Sequence, residues 1–375
     1  MILIILTSSN LPFSVKNYIK YLEALLCLPL AFNMFDNNTI INKLWWLFKW
    51  FVFLFLLNYV LANTLHWGNR YGGEVGSETG NQLENGLYLI ACSICITPLF
   101  LHRERYKFLL IGSLIISFVI SVAILKRAAI AAMILSLMLY YMCNLYFKMR
   151  YGSLNINHVS SISKIIRFTL LTIFAIVVAV SFRGVLESQI QTRSNRFVEG
   201  ALEKEGRVRE LRSIFKDIVY SDDISTFLFG RETFNTVGTY GKELHFGQRN
   251  IHDDFGIILN GSGVVGFCLY FLINITIVFR LLKYSKNINF STNETARKMF
   301  ATYVSFAVIF AIASTSDTIM LVLFPAMYYT VSGMILRYFY EYGYTYKTPN
   351  ENEDGLCVDD GNYNFSHENT HSREL

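Results

Sequence analysis

Long apolar stretches alternate with short polar loops along most of this chain. Predicted membrane-spanning helices lie at 44–65, 86–101, 108–125, 128–147, 168–182, 255–282, 302–313 and 318–336. Only helices and closed barrels satisfy every backbone hydrogen bond in a bilayer. The pattern therefore predicts an all-α polytopic membrane protein with about 8–10 transmembrane helices and one large loop.

Two shorter apolar segments precede these spans. Residues 1–6 lack a basic start and a small-residue cleavage site, so we predict no signal peptide. Residues 22–35 are interrupted by Pro29. The two segments together fit either a re-entrant or a tilted hairpin.

Polar segments divide the chain into four parts. Residues 1–182 are predicted to form an N-terminal transmembrane bundle, and 183–253 is a long hydrophilic loop. Residues 254–340 hold the C-terminal transmembrane helices. The tail 341–375 is acidic and rich in Asn, so we expect it to be disordered because it has little apolar surface to bury.

The composition agrees with a membrane protein. Hydrophobic residues make up 53% of the chain and charged residues 16%, whereas soluble domains carry about 25% charged residues. The net charge of +5 comes from basic residues in short loops and does not indicate nucleic-acid binding. Cys92 and Cys95 form a CxxC inside a predicted span without flanking ligands, which favours packing over redox chemistry or zinc binding.

The distribution of basic loops predicts one orientation. The loops around Lys43, Arg105, 148–167 and 283–298 are basic and are assigned to the cytoplasm, together with the tail. The loops at Glu74, Arg127, 183–253 and Asp317 are then outside. Lys126 and Arg127 are basic although their loop is assigned outside, which suggests an anionic partner.

The segment 249–266 combines ionisable groups with the start of an apolar run. His252, Asp253 and Asp254 lie where the polar loop meets a predicted span. Charges at this depth are costly and usually functional. The alternative is a capped helix start, in which the two aspartates favour the helix dipole and the glycines allow close helix packing.

Arginines are frequent in the outer loop and at the ends of the neighbouring spans. The candidate anion-binding residues are Arg127, Arg183, Arg207 and Arg249. The planar guanidinium binds phosphate oxygens through paired hydrogen bonds and keeps its charge. The site therefore suits a phosphate-bearing lipid. Arg209 and Arg212 instead fit a solvated face, paired with acidic residues such as Glu203 and Glu210.

Residues 201–219 have the pattern of an amphipathic helix. Its apolar side is predicted to consist of Leu202, Val208, Leu211, Ile214, Phe215 and Ile218. Such a helix either lies at the outer membrane interface or caps the helix bundle.

Several catalytic classes have no supporting motif in the chain. The phosphate loop GxxxxGK[ST], GxSxG and DxD are absent from the sequence, and HExxH occurs once, at His367–His371, in the tail that we expect to be disordered. Nucleotide hydrolysis and serine-hydrolase chemistry therefore have no support, and zinc proteolysis has none because HExxH binds zinc from a helix. An activated sugar donor outside the cytoplasm must arrive attached to lipid, because nucleotide sugars are not available there.

Two groups of motifs resemble a known superfamily. Leu228-Phe-Gly230, then His252-Asp253, nine residues and Gly263-Val-Val-Gly266 resemble the signature of bacterial O-antigen ligases and Wzy-type O-antigen polymerases. Leu125-Lys-Arg127-Ala-Ala-Ile resembles an earlier motif of the same superfamily. Asp253 departs from the signature, which usually has an amide or hydroxyl residue at that position.

The resemblance implies a GT-C-like membrane glycosyltransferase that needs no metal or other cofactor. It implies a donor of undecaprenyl-diphosphate-linked glycan in the bacterial inner membrane, with the active site facing the periplasm. Arg127, Arg183, Arg207 and Arg249 are the expected diphosphate ligands, and His252 the residue near the acceptor hydroxyl. A chain-length regulator and a flippase are the implied protein partners.

Chemical reasoning gives the acidic residues a role beside that histidine. His252 titrates near neutrality and is suited to accept the proton of the acceptor hydroxyl. Asp253 or Asp254 would hold its tautomer or interact with the oxocarbenium-like carbon.

Three alternative functions remain. The first is polymerisation of lipid-linked repeat units into O-antigen or capsule, favoured by a highly aromatic composition with 23 Tyr and 31 Phe, which resembles that of the polymerases. The second is ligation of finished glycan to lipid A core. The third is polysaccharide transport or flipping without chemistry, which would lead us to expect internal repeats and charges within several spans.

Overall fold

We describe a computed structural model of the chain. It describes residues 11–34, 37–64, 81–101, 105–124, 127–150, 206–231, 251, 253–290, 292–316 and 323–345. These parts are helical almost throughout and contain no strand. The all-α class predicted from the sequence is therefore confirmed for the described residues.

The helices follow one another in this order: α1 Leu11–Met34, α2 Asn37–Thr64, α3 Asn81–Phe100, α4 Lys107–Ile124, α5 Arg127–Arg150, α6 Gly206–Val219, α7 Ile224–Phe229, α8 Asp254–Ser285, α9 Glu294–Ala313 and α10 Leu323–Thr345. A 3₁₀ turn at Ser314–Ser316 follows α9.

Helix α9 lies at the centre of the bundle. It contacts α3, α5 and α10, while α1 packs along α10. Aromatic stacking joins α9 to α10, because the rings of Phe310 and Tyr328 lie 4.0 Å apart and nearly parallel. Helices α1 and α10 approach closely at Gly333, where an added Cβ would lie 2.4 Å from the Leu28 carbonyl oxygen. Small residues commonly permit such close crossings in membranes.

Among the described residues, three helices are long and apolar enough to cross a membrane, as judged by length and composition. They are Ala128–Phe147, Asp254–Ser285 and Glu294–Ala313. Shorter apolar helices occupy Trp45–Leu61, Gly86–Phe100 and Lys107–Ser121. These are the helices of a membrane-embedded protein. The total of about 8–10 spans, the GT-C-like arrangement and the periplasmic position of the loop stay predictions.

Two helices differ from the sequence pattern. Helix α1 continues through Pro29, so the proline does not interrupt it. The hairpin predicted from 1–6 and 22–35 includes residues outside the described parts of the chain. The Asn33 side chain donates a hydrogen bond to the Pro29 carbonyl at 2.8 Å, on the turn after the proline. Helix α10 ends at Thr345, beyond the predicted limits of 336 for the span and 340 for the C-terminal part.

The predicted span 255–282 is also wrong as a single straight helix. Gly263 has φ 60° and ψ −164°, which breaks the helical path inside α8. The rings of Phe255 and Phe271 stack at 5.8 Å with 11° between their planes. In a straight helix these two residues would be about 24 Å apart along the axis. We call residues 254–262 the short arm and 264–285 the long arm, and the short arm folds back beside the long arm.

Cross-linking tests this turn. Phe255→Cys combined with Phe271→Cys, in a Cys268→Ser background, should be joined by a short bismaleimide within one chain. The matched pair Phe255→Cys and Phe279→Cys should not react in this way, because Phe279 lies two helical turns further along the long arm. Mass spectrometry of the digested protein identifies the linked peptides. Equal cross-linking of both pairs, or none in either, would contradict the folded-back arm.

Candidate functional site

The start of the short arm is capped by an aspartate. Asp253 has extended backbone angles, and its Oδ1 accepts a hydrogen bond from the Gly256 N–H at 2.6 Å. Asp254 follows in the first turn, where a negative charge favours the helix dipole. The capped helix start considered from the sequence is therefore present. Both carboxylates are nevertheless buried, with Asp254 fully inaccessible, which a simple surface cap does not require.

Helix α6 covers the short arm. Ile214 and Ile218 of α6 and the preceding Ile251 are completely buried. A Cβ at Gly256 would lie 3.1 Å from the side chains of both Ile214 and Ile251, so the packing is tight at this glycine. Of the two predicted positions for the amphipathic helix, contact with the helix bundle is the one observed.

Only part of the predicted apolar side of α6 is buried. Ile214 and Ile218 are buried, but Leu211 and Phe215 are 37% and 47% exposed. Phe215 makes an edge contact with Tyr220, whose ring is itself exposed. This part of the helix offers aromatic and aliphatic surface next to the exposed Arg212 and Lys216.

Glu210 has a different environment from the one predicted. Arg209 and Arg212 are exposed, as expected for a solvated face, whereas Glu210 is completely buried. The spacing explains the difference, because Glu210, Ile214 and Ile218 recur every four residues and share one side of the helix. That spacing was the signal in the sequence that could have identified this residue as part of the site, although the sequence analysis assigned it to the solvated face.

Two glycines allow α7 to dock against the turn of α8. Gly230 has φ 87° and Gly263 has φ 60°, a region that favours glycine. A Cβ at Gly263 would lie 2.4 Å from the Leu228 carbonyl carbon, and one at Gly230 would lie 2.4 Å from the Asn260 carbonyl oxygen. The Arg231 N–H donates to that Asn260 oxygen at 3.0 Å. The segment Leu228-Phe-Gly230 and the glycine turn are therefore in direct contact.

Helix α7 is short and is fixed at both ends. Asp223 caps it by accepting hydrogen bonds from the Ser225 and Thr226 N–H groups and from the Thr226 hydroxyl. These bonds favour the carboxylate and lower the pKa of Asp223 below its usual value. At the other end, Arg231 lies 3.5 Å from Asp217 of α6. The capping keeps the Gly230 backbone at the turn.

Hydroxyl and amide groups line the interior next to the short arm. Asp254 of the short arm and Tyr270 of the long arm directly precede the stacked Phe255 and Phe271, and the buried Tyr270 side chain carries a hydroxyl group. That hydroxyl lies 3.4 Å from the Ser314 hydroxyl, where α9 ends. The Asn274 amide donates to the Tyr270 carbonyl at 2.9 Å and reaches the Tyr329 hydroxyl at 3.4 Å. The turn in α8 therefore brings Asp254 to a polar part of the bundle.

The described part of this region contains three buried carboxylates, those of Glu210, Asp253 and Asp254. All three have further interaction partners. Burying a carboxylate is costly unless cations or hydrogen-bond donors compensate for the lost water. The arrangement can hold a guanidinium or an imidazolium. Within the described parts of the chain, no group of three His, Cys, Asp or Glu side chains is placed to hold a metal ion.

The remaining predicted site residues lie at or beyond the edge of the described parts. His252, Arg183 and Arg249 are outside them, although both chain neighbours of His252 are buried. Arg127 is the first residue of α5, and Arg207 is in the first turn of α6, one turn before Glu210. Of the predicted catalytic residues, the structure thus describes Asp253 and Asp254, which are consecutive in the sequence and both buried. It adds Glu210, Arg231 and Tyr270, which the sequence analysis had not selected.

Comparisons with known proteins return no match to this chain. No protein-family model, no curated protein and no solved structure is similar enough to be matched. The resemblance in the motifs stays a prediction.

The glycine pair leads to a stability prediction. Gly263→Ala places a side chain at φ 60° and ψ −164°, a region essentially restricted to glycine in which other residues cost about 1–3 kcal/mol, and it drives the new Cβ into the Leu228 backbone. We expect a clearly lower unfolding temperature in detergent, measured by size-exclusion chromatography after heating. The control Gly112→Ala adds a methyl group with nothing within 4 Å and should not lower that temperature. If Gly263→Ala left the unfolding temperature unchanged, the sharp turn at Gly263 would be contradicted.

Proposed function

We propose that this protein is a membrane glycosyltransferase that polymerises undecaprenyl-diphosphate-linked oligosaccharide repeat units into surface polysaccharide, O-antigen or capsule. The reaction is placed at the periplasmic face of a bacterial inner membrane. The observation that carries the proposal is the contact between Leu228-Phe-Gly230 and the Gly263 turn, which joins the long arm to the short arm that starts at Asp253 and Asp254.

This contact supports the resemblance in a way that short motifs alone do not. Gly230 and Gly263 are 33 residues apart in the sequence, and the superfamily signature contains both. Each glycine is required by the backbone of the other segment, so the pair has a physical reason to occur together. The short arm runs between this turn and His252-Asp253, which also belongs to the signature.

The proposed donor chemistry assigns the diphosphate to arginines. Cleavage of the sugar–phosphate bond leaves negative charge on the diphosphate, and preorganised cations stabilise this charge without a metal. Arg127, Arg183, Arg207 and Arg249 are the proposed ligands. The buried carboxylates would repel the diphosphate directly, so we assign Glu210, Asp253 and Asp254 to holding cationic side chains in position.

The proposed acceptor chemistry centres on His252. The acceptor hydroxyl gives its proton to the imidazole, its oxygen forms the new bond to the anomeric carbon, and the lipid diphosphate leaves with the bonding electrons. Asp253 is a positioning residue in this scheme, since its cap to Gly256 fixes the backbone beside His252. A general base of this kind contributes about 10²- to 10⁴-fold in rate.

Reconstitution tests polymerisation directly. Purified full-length protein in detergent, supplied only with undecaprenyl-diphosphate repeat units, should produce a ladder of longer glycans without added metal or nucleotide. If transfer requires added lipid A core, the protein is an O-antigen ligase. If neither acceptor is used by folded protein, the proposed glycosyl transfer is wrong.

The matched variants in this assay are Asp253→Asn and Asp253→Ala. Asn caps a helix as well as Asp, and an amide is usual at this position in the superfamily signature, so Asp253→Asn should still make the ladder. Asp253→Ala loses the cap, at about 1 kcal/mol of stability. Loss of the ladder in a folded Asp253→Asn protein would mean that the carboxylate charge itself acts in the reaction.

A further inference from the structure

An open apolar groove lies between α1, α8 and α10, away from the turn of α8. Its cavity volume is about 330 Å³. Leu28 of α1, Leu336 of α10 and Leu272, Ile273 and Ile277 of α8 supply its aliphatic lining. Arg280 is the last α8 residue that lines it. It lies 17 residues after Gly263, or about 25 Å along the long arm.

The groove opens on a side of α8 that remains uncovered. Leu272, Ile275 and Phe279 are 57%, 46% and 67% exposed. In a helix that crosses a membrane, such exposed apolar side chains face lipid acyl chains rather than water. The chemistry of the groove lining and of this neighbouring surface therefore fits a single hydrocarbon chain.

The charge at the end of the groove indicates which kind of head group the bound hydrocarbon chain carries. Arg280 donates a hydrogen bond to the Tyr284 hydroxyl at 3.4 Å, and no carboxylate in the described parts of the chain forms an ion pair with it. By contrast, Arg337 on the neighbouring α10 is paired with Glu341. Lys283 and Lys286 are exposed on the following turns. This end of the groove thus has an excess of positive charge beside an apolar surface.

We infer that the groove is a binding site for one anionic glycerophospholipid. One acyl chain lies between α1, α8 and α10, and the phosphate is bound by Arg280. Basic pockets between transmembrane helices bind anionic head groups in this way. The site is at the opposite end of the long arm from the turn, and it does not depend on the proposed glycosyl transfer.

Native mass spectrometry of the purified full-length protein in detergent tests this site. Dioleoyl phosphatidylglycerol should bind with one lipid per chain more tightly than dioleoyl phosphatidylcholine. Arg280→Ala should weaken phosphatidylglycerol binding about fivefold, which corresponds to ~1 kcal/mol for a basic residue near an anionic lipid. Thr276→Phe, which fills the groove, should weaken the binding of both lipids.

The control is Arg105→Ala. Arg105 is also an exposed arginine beside a tyrosine, but it precedes α4 and does not line the groove. It should leave lipid binding unchanged. Three results would overturn the inference: equal binding of the two lipids by the unmodified protein, no effect of Arg280→Ala, or displacement of phosphatidylglycerol by an equal concentration of polyprenyl phosphate. The last result would assign the groove to a polyprenyl chain.

Discussion

The backbone contact between Gly230 and Gly263 is the constraint on which the rest of the site depends. Both residues have positive φ, and each lies so close to the other segment that a Cβ would overlap with main-chain atoms. Because Gly263 turns the chain sharply, α8 consists of two arms rather than one straight helix. The short arm, α6 and α7 then assemble around that turn.

This arrangement explains how acidic groups are accommodated beside an apolar helix. The turn returns the start of the short arm, with Asp254, to the long arm beside Phe271, while α6 covers the short arm through Ile214 and brings Glu210 into the interior. Buried carboxylates require compensating partners. A site that binds a lipid diphosphate through arginines has a use for such carboxylates, since they hold the cations in place. The proposed reaction thus accounts for charges that packing alone would disfavour.

Much of the helical pattern was predictable because apolar length and basic loops are local properties of the chain. The stripe through Ile214 and Ile218 was also visible. Predicting the burial of Glu210 required extending this four-residue spacing one step back, from Ile214 to position 210. The folding back of α8 was not predictable from hydrophobicity, since a straight span and two adjacent arms have the same apolar composition. It depends on Gly230, which lies in another segment. Pro29 did not predict a helix end, since α1 continues through it to Met34.

The central claim is that the start of the short arm, which folds back at Gly263, carries the active site of a glycosyltransferase, and His252→Ala tests it most directly. Extension of lipid-linked repeat units and the unfolding temperature would be measured on the same purified preparation. The account predicts a loss of activity of about 100-fold or more, with an unfolding temperature equal to that of the unmodified protein. Full activity in stably folded His252→Ala protein would contradict it.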